Sequence, residues 1–397
     1  MLLDQDSGYR GAQIDCKEGH RAMFVGYRRK SIATVLSEVE LERAYYYCGE
    51  CRGGVIPKDV ELDISGTSFS PGVRRMMGVV GAKEAFEDGR RDLEELAEVI
   101  VKTKEIERIS EAIGEQAAVF FEREEQSLIA GRVVPITNRV AKLYIAIDAT
   151  GVPVVKREVE RRRGKNEAGQ AKTREAKLGC VFTQTTVDEK GYPVRDEGST
   201  TYVGRIEDAK RFGWRIYGEA LRRGLVRAEE VIVIGDGAPW IWNIADLHFP
   251  GAVQIVDLYH AREHISSLGK VLYRAGSVKS KEWTAARRAE LDAGDVEGLV
   301  RSIRRSRPRS SEAKDDVRKT ADYFECNAKR MRYAAFRRQG FFVGSGVVEA
   351  GCKTIIGQRL KQSGMHWTVR GANAIITLRC CQMSNRWEEF WEARATA

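Results

Sequence analysis

Three carboxylates in this chain have the setting for metal-assisted phosphoryl chemistry. Asp148 and Asp236 each close a short apolar run, YIAID and VIVIGD, and each is followed at once by small or glycine residues. A carboxylate at the carboxyl end of a strand, beside open backbone, can hold a hard cation at a sheet edge. Two such aspartates on neighbouring strands can share a pair of Mg2+ (or Mn2+) ions about 3.5–4 Å apart, clamping the attacking and leaving oxygens of a phosphate. Taken singly, a strand-end Asp is also ordinary turn chemistry. Glu349 lies in FFVGSGVVEAGCKTIIGQRLKQSGMHW, which begins with glycines and Ser345 and then becomes helical. Lys353 shares its helical face four residues on, and Arg359 and Lys361 follow. A glutamate there would complete a metal site turned toward a phosphate backbone. The plainer alternative is a surface Glu349–Lys353 pair, worth about 0.3–0.5 kcal/mol.

A second set of ligand-type residues sits near the N-terminus. Cys16-x-x-x-His20 and Cys48-x-x-Cys51 supply four soft or borderline donors, with twenty-seven residues between the halves. Two thiolates of a CxxC knuckle reach one tetrahedral Zn2+, and Gly49 and Gly53-Gly54 suit the tight backbone of such a knuckle. The spacing fits a zinc-ribbon-like module better than a finger. The alternative is an incidental CxxC with an unrelated His20. Arg28, Arg29 and Lys30 lie between the ligand pairs and could meet phosphates. The other cysteines, Cys180, Cys326, Cys352, Cys380 and Cys381, read as buried thiols.

These residues need elements to position them. Residues 1–70 read as irregular, with short strand-like pieces such as Ala44–Tyr47. Residues 73–130 read as three helices, with Leu93, Leu96, Ile100, Ile106, Ile109 and Ile113 at helical spacing, punctuated by Gly89 and by Thr103 as an N-cap. That pattern is compatible with a helix-turn-helix and equally with a plain helical linker. Gly131–Asn138 reads as a linker. A strand series follows. Leu143–Ile147 ends at Asp148, and Val152–Val155 resumes after a Gly151 turn. Val159–Glu175 is a charged loop, and Leu178–Val187 is a strand. Ile206–Arg223 is a helix, Val231–Ile234 a strand before Asp236, Pro239–Leu247 a helix and Val253–Val256 a strand before Asp257. Residues 258–331 read as helical and basic, broken near Pro308. Gly344–Leu360 and Val369–Trp391 close the chain as helices. Strand–helix alternation argues for an α/β core, and the stretch of about 265–340 is too long for a loop, so it reads as a helical insertion.

Charge agrees with a polyanionic partner. The net charge is +9, and it is uneven: residues 350–387 hold six basic and no acidic residues, and residues 269–340 hold nineteen Lys/Arg against ten Asp/Glu. A solvated helical surface gives the same pattern. The first residues lack the basic-then-apolar order of a secretory signal, and no eighteen-residue apolar run is present. No membrane partner is expected, and the location expected is the cytoplasm.

The segments IDATGVP, IGDGAPWIWN and GSGVVEAGCKTIIGQRLKQSGMHW, in that order, resemble the catalytic blocks of DDE transposases of bacterial insertion sequences. The similarity is greatest to the Kra-type family, more distant to Mutator-like transposases, and spans about residues 65–387. It implies an α/β fold with a ribonuclease-H-like core carrying a helical insertion, and Asp148, Asp236 and Glu349 as ligands of two Mg2+ or Mn2+ ions. Asp257-Leu-Tyr-His260 resembles the Asp/Cys-x-x-His signature of several such superfamilies, which implies that His260 approaches the scissile phosphate or buttresses the triad. A capped helix start with a half-buried His reads the same way. The expected organisation is a zinc-ribbon-like DNA-binding module at 1–65, a helical, helix-turn-helix-like DNA-binding region at 66–138 and the catalytic domain at 139–397. The expected partners are double-stranded DNA, at element ends and target, and further copies of the chain on that DNA. The expected setting is a bacterial cytoplasm at the nucleoid. A ribonuclease-H-like nuclease without strand transfer and a non-catalytic, transposase-derived DNA-binding regulator are the competing readings. Trp240 and Trp242, beside Asp236, are candidates for core packing or for stacking on a flipped base.

Overall fold

The computed structural model describes residues 6–133, 139–160, 162–164 and 171–395. Part of the expected linker (134–138) and part of the expected loop after Val159 (161 and 165–170) lie outside the described residues. The chain divides into two compact units, Met1–Gly114 and Glu115–Ala397.

The first unit opens with a four-stranded antiparallel sheet: β1 (Gln13–Asp15), β2 (Arg21–Ala33), β3 (Glu38–Cys48) and β4 (Gly53–Val55), in that spatial order. The first seventy residues are therefore not irregular. Alternation hides the sheet because both faces carry apolar side chains. Ala22, Ala44, Tyr46 and Cys48 are buried on one side, whereas Met23, Val25, Tyr27 and Tyr47 are exposed. A register shift between Phe24 and Gly26 also breaks the period, leaving Val25 as the extra residue of a bulge. Tyr46 fastens the segment before β1, accepting from the Arg10 N–H at 2.7 Å and donating to the Gly11 carbonyl at 3.0 Å.

Four helices follow: α1 (Pro57–Glu61), α2 (Pro71–Lys83), α3 (Phe86–Ala97) and α4 (Thr103–Ile129). Ser70 caps α2 through the Val73 N–H, with Pro71 in the first turn where its missing N–H costs nothing. Two expectations need correction. Gly89 is no helix break; it is buried inside α3, and the break falls at Glu84–Ala85. A Cβ at Gly89 would stand 2.9 Å from Val80, so the glycine lets α3 lie close on α2. Thr103 is not the cap but the first residue of α4. The Lys102 carbonyl accepts the first helical bonds, and the Glu105 carboxylate reaches back to the Lys102 N–H at 2.8 Å.

The second unit is a mixed α/β fold. Its main sheet holds β5 (Val140–Pro153), β6 (Thr173–Gln184), β9 (Thr201–Arg205), β10 (Ala228–Gly235) and β11 (Val253–Val256), in the order β11-β10-β5-β6-β9. β5, β6 and β9 form an antiparallel meander, while β10 and β11 run parallel to β5. The short strands β7 (Thr186–Val187) and β8 (Pro193–Val194) make a separate ribbon. Helix α5 (Ala209–Arg222), capped by Asp208 through the Arg211 N–H, joins β9 to β10, and α6 (Pro239–His248) joins β10 to β11. The apolar runs of β5 and β10 are buried on both faces, which is why they read as continuous rather than alternating.

Five helices come between β11 and the Glu349 segment: α7 (Leu258–Leu272), α8 (Val278–Ala293), α9 (Val296–Arg304), α10 (Ser311–Cys326) and α11 (Tyr333–Arg338). The break around Pro308 separates α9 from α10. The segment after Ser345 is helical in three pieces: α12 (Gly346–Gly351), a wide π-type turn (Cys352–Gly357) and α13 (Gln358–Leu360). Helices α14 (Val369–Met383) and α15 (Trp387–Ala395) complete the fold. No helix of the described residues is long and apolar enough to cross a membrane.

Gly89→Ala is expected to destabilise the protein by about 1–2 kcal/mol, although alanine is the better helix former, because the added methyl meets Val80. Urea denaturation of the two chains checks this; an alanine variant at least as stable as the parent contradicts the close α2–α3 contact.

Candidate metal sites

The parallel register of β5 and β10 sets the first two carboxylates side by side. Its last pair is Ala146↔Ile234. Two residues further along each chain come Asp148 and Asp236, and a step of two keeps a side chain on the same face. The expected strand end at Asp148 requires correction, together with the turn at Gly151. β6 pairs with β5 without interruption through Asp148↔Leu178 and Gly151↔Glu175 to Pro153↔Thr173. Asp148 is therefore inside a strand, at the level where only the β10 side of the ladder has ended. Asp236 does follow the end of its strand. Its Oδ1 accepts the Ala238 N–H at 2.8 Å, which closes a small turn through Gly237, at φ +97°.

Glu349 arrives on α12, which packs against β5 and β6. The three carboxylates share an electrostatic environment. Burial raises the Asp148 carboxyl above the usual carboxylate range; the Ala149 N–H and the Cys352 thiol offset this, and the charges of Asp236 and Glu349 add to it. The Ala149 N–H reaches Asp148 Oδ1 at 2.7 Å. The Cys352 thiol is in turn raised by burial and by Asp148. Hard oxygen donors of this kind are the ligand type that Mg2+ and Mn2+ take. The three do not close to within 4.8 Å of one another; among the described residues only the N-terminal cluster does so.

Asp257 does a different task. Buried at the start of α7, its Oδ1 accepts the His260 N–H at 2.6 Å and its Oδ2 accepts the Ser345 N–H. Its own N–H donates to the Gly235 carbonyl at 2.7 Å, and the Leu258 N–H donates to Val343 at 2.9 Å. One residue thus ties together the end of β10, through its N–H, and the start of α7 and the approach to α12, through its carboxylate. His260 is half-buried, with Nδ1 3.9 Å from Glu263 and its ring edge-on to His264 at 5.0 Å. It is His264, one helical turn on from His260, that feels Asp236. Burial and then His260 lower its pKa, while Asp236 and Glu263 oppose that.

The basic residues expected near phosphate separate into two groups. Lys353 is exposed, 3.8 Å from Glu349, and Lys361 donates to the Thr150 hydroxyl, two residues beyond Asp148. Arg359 corrects an expectation. It is fully buried, with its guanidinium over the Trp367 ring at 5.0 Å, and braces the core instead of facing solvent. Trp242 is buried, with Arg330 over its ring at 4.6 Å, and Trp240 lies beside Phe212 and Lys177. Cys180, Cys352, Cys380 and Cys381 are buried, but Cys326 is exposed.

In the first unit, Cys16, His20, Cys48 and Cys51 offer ligand atoms that all lie within 4.8 Å of one another. The hairpins place them. Cys16 and His20 flank the β1–β2 turn, closed by Cys16 N–H to the His20 carbonyl at 2.8 Å, and Cys48 and Cys51 flank the β3–β4 turn. The Cys16 and Cys51 sulfurs are 3.6 Å apart, and His20 Nδ1 is 3.1 Å from Cys51 Sγ. A tetrahedral ion with Zn–S of about 2.3 Å separates two sulfurs by about 3.8 Å, so this Cys3His group could hold zinc. Convergence of the thiols splits their acidity. The Cys16 and Cys48 side chains, with some desolvation, push Cys51 up to about 12. Desolvation opposes ionisation of Cys16, but N–H groups of Glu18 and His20 and the other two thiols hold it below the usual thiol range. Of the intervening basic residues, Arg28 stacks over Tyr45 at 3.4 Å and Arg29 pairs with Glu40 and Glu42. Lys30 does not fit the expectation of a phosphate contact, because its ammonium is held between Asp59 at 3.3 Å and the Ile64 carbonyl at 2.8 Å.

No family model matches this sequence, and no curated protein does. Among solved structures, the Drosophila P element transposase strand transfer complex aligns over 85% of this chain and 84% of that chain, with 9% identity and a TM-score of 0.26. Agreement of that size is too slight to establish a common fold.

Two outcomes follow from this geometry. Asp257→Ala removes a buried carboxylate that caps α7 and tethers Ser345, and is expected to cost about 3 kcal/mol in urea denaturation; a loss below about 1 kcal/mol contradicts the tether. Purified protein is expected to carry one zinc per chain, lost in Cys48→Ser and Cys51→Ser, with chelation melting the β1–β4 sheet. Absence of zinc together with unchanged stability in Cys48→Ser rules the site out.

Proposed function

We propose that the chain is a DNA transposase that cuts at the ends of a mobile element and joins them to target DNA. The observation that carries this is the setting of Asp148, Asp236 and Glu349. Strand β5, the turn after β10 and helix α12 carry them, and the ionised form of Asp148 is opposed by burial and by the like charges of Asp236 and Glu349. The sheet order supports a ribonuclease-H-like core: a β5-β6-β9 meander extended beyond β5 by parallel β10 and β11, each reached through a helix. Helices α7–α11, between β11 and Glu349, are its helical insertion.

On this reading Asp148, Asp236 and Glu349 would hold two Mg2+ or Mn2+ ions. When bound, these ions lower the pKa of an attacking water or 3′-hydroxyl and stabilise the departing oxygen. The chain's own residues supply the rest. The N–H groups of Ala149 and Ala238 orient the two aspartates. Lys361, held at Thr150, and exposed Lys353 present positive charge on the side of Glu349 where a phosphate backbone would run. His260 and His264 line the approach from α7. The zinc-ribbon-like module, with Arg28 and Arg29, and helices α2–α4 would recognise element ends in double-stranded DNA, with the enzyme working as an oligomer at the nucleoid of a bacterial cytoplasm.

The test is a cleavage and joining assay on duplex DNA bearing the element ends, with Mg2+ or Mn2+. Asp148→Asn, Asp236→Asn and Glu349→Gln are each expected to lower the rate by roughly 10^3, which corresponds to about 4 kcal/mol of transition-state stabilisation. Undiminished cleavage by Asp236→Asn removes the proposal. With pre-cut 3′-hydroxyl ends, joined products are expected; cleavage without joining assigns a nuclease instead.

A further inference from the structure

Two tyrosines from the helical segment reach the carboxyl ends of the outer parallel strands. The Tyr333 hydroxyl, from α11, donates to the Val256 carbonyl at 3.0 Å, one residue before Asp257. The Tyr323 hydroxyl, from α10, donates to the Asp236 carbonyl at 2.9 Å. Asp236 lies past the end of β10, and Val256 is the last paired residue of the edge strand β11, so both carbonyls stand where the sheet stops.

The contact at Asp236 is the more specific. The Tyr323 ring stacks on His264, with centroids 4.2 Å apart and planes inclined by 25°. Gly237 gives way to it: a Cβ there would lie 2.7 Å from the ring, and the residue sits at φ +97°, where a side chain is strained in any case. Asp236 is consequently gripped twice. Its Oδ1 is fixed by the Ala238 N–H and its carbonyl by Tyr323, and among the described residues its Oδ2 carries no hydrogen bond. Burial, with Asp236 and Asp257 nearby, raises the Tyr323 pKa and keeps the hydroxyl a donor.

We propose that Tyr323 is a positioning residue for Asp236, setting the turn from which that carboxylate projects and making the ligand geometry depend on the seating of α10. The proposal rests on the reading of Asp236 as a metal ligand. Outer contacts of this kind alter metal affinity by about 10–100-fold when removed. Because Tyr323 holds the main chain and not the carboxylate, the lower end of that range applies.

The experiment is Mn2+ binding to the full, zinc-loaded chain, followed by electron paramagnetic resonance, in the parent, Tyr323→Phe, Tyr323→Ala and Asp148→Asn. Tyr323→Phe keeps the stack on His264 and loses only the hydrogen bond. It is expected to weaken Mn2+ binding about tenfold while lowering the thermal midpoint by only a few degrees, and Tyr323→Ala to weaken binding at least as much. Should the alanine variant fail to fold, the phenylalanine variant decides. Parent-like Mn2+ affinity in Tyr323→Phe overturns the proposal. Mn2+ binding that is the same in the parent and in Asp148→Asn overturns the carboxylate site itself, and is a distinct result.

Discussion

Like charge held against its own repulsion is the constraint around which the second unit is built. Asp148 is partly buried with two other carboxylates nearby, and its ionised form is disfavoured on both counts. Left to local preference these side chains would turn apart toward water. What keeps them together is backbone. The β5–β10 register fixes two of them, and β6 runs on past Asp148 so that the strand cannot curl away once β10 has ended. The Ala149 N–H and the Cys352 thiol relieve part of that cost at Asp148, and Lys353 stands 3.8 Å from Glu349; a bound cation would relieve more.

The third carboxylate comes from far along the chain, and Asp257 bridges the distance. A short strand, the start of the helical segment and the approach to α12 all bond to it or to its neighbour Leu258. The helical segment is therefore pinned at both its ends by one residue, while Tyr323 and Tyr333 fasten its last two helices to the sheet. A helical segment of that size could have been an appendage. Here its anchor points coincide with the strand ends that carry the carboxylates.

Much of this was legible in the sequence, for identifiable reasons. α6 and β11 are short and bounded by Gly or Pro, so their limits could be read almost to the residue, whereas β10 begins three residues before its apolar run, at Ala228. Asp236 and the zinc-type ligands were visible because turn chemistry and CxxC spacing are local. Other features are not local. The unbroken run of β5 through Gly151 depends on pairing with β6, and the N-terminal sheet was hidden by apolar residues on both faces and by the Val25 bulge. Arg359 illustrates the limit of charge as a guide: its position among basic residues suggested a surface, and only Trp367, packed over it, shows that it is interior. Tyr323 and His264 carry no signal of their own, because what matters in them is the contact made across the fold.

The wide turn at Cys352–Gly357 gives the Glu349 helix two angular phases. A π-type turn takes in one residue more than an α turn, so everything after it is rotated by about 100° relative to an unbroken α-helix. Upstream of the turn, Glu349 joins the carboxylate cluster; at its first residue, the Cys352 thiol meets Asp148. Downstream, Lys361 returns to Thr150 on the same strand, and Arg359 faces inward beneath Trp367. A uniform helix could not serve both sets of contacts in this register. The extra residue works as a gear offset, allowing one rod to engage strand β5 twice, first with an acid and then with a base.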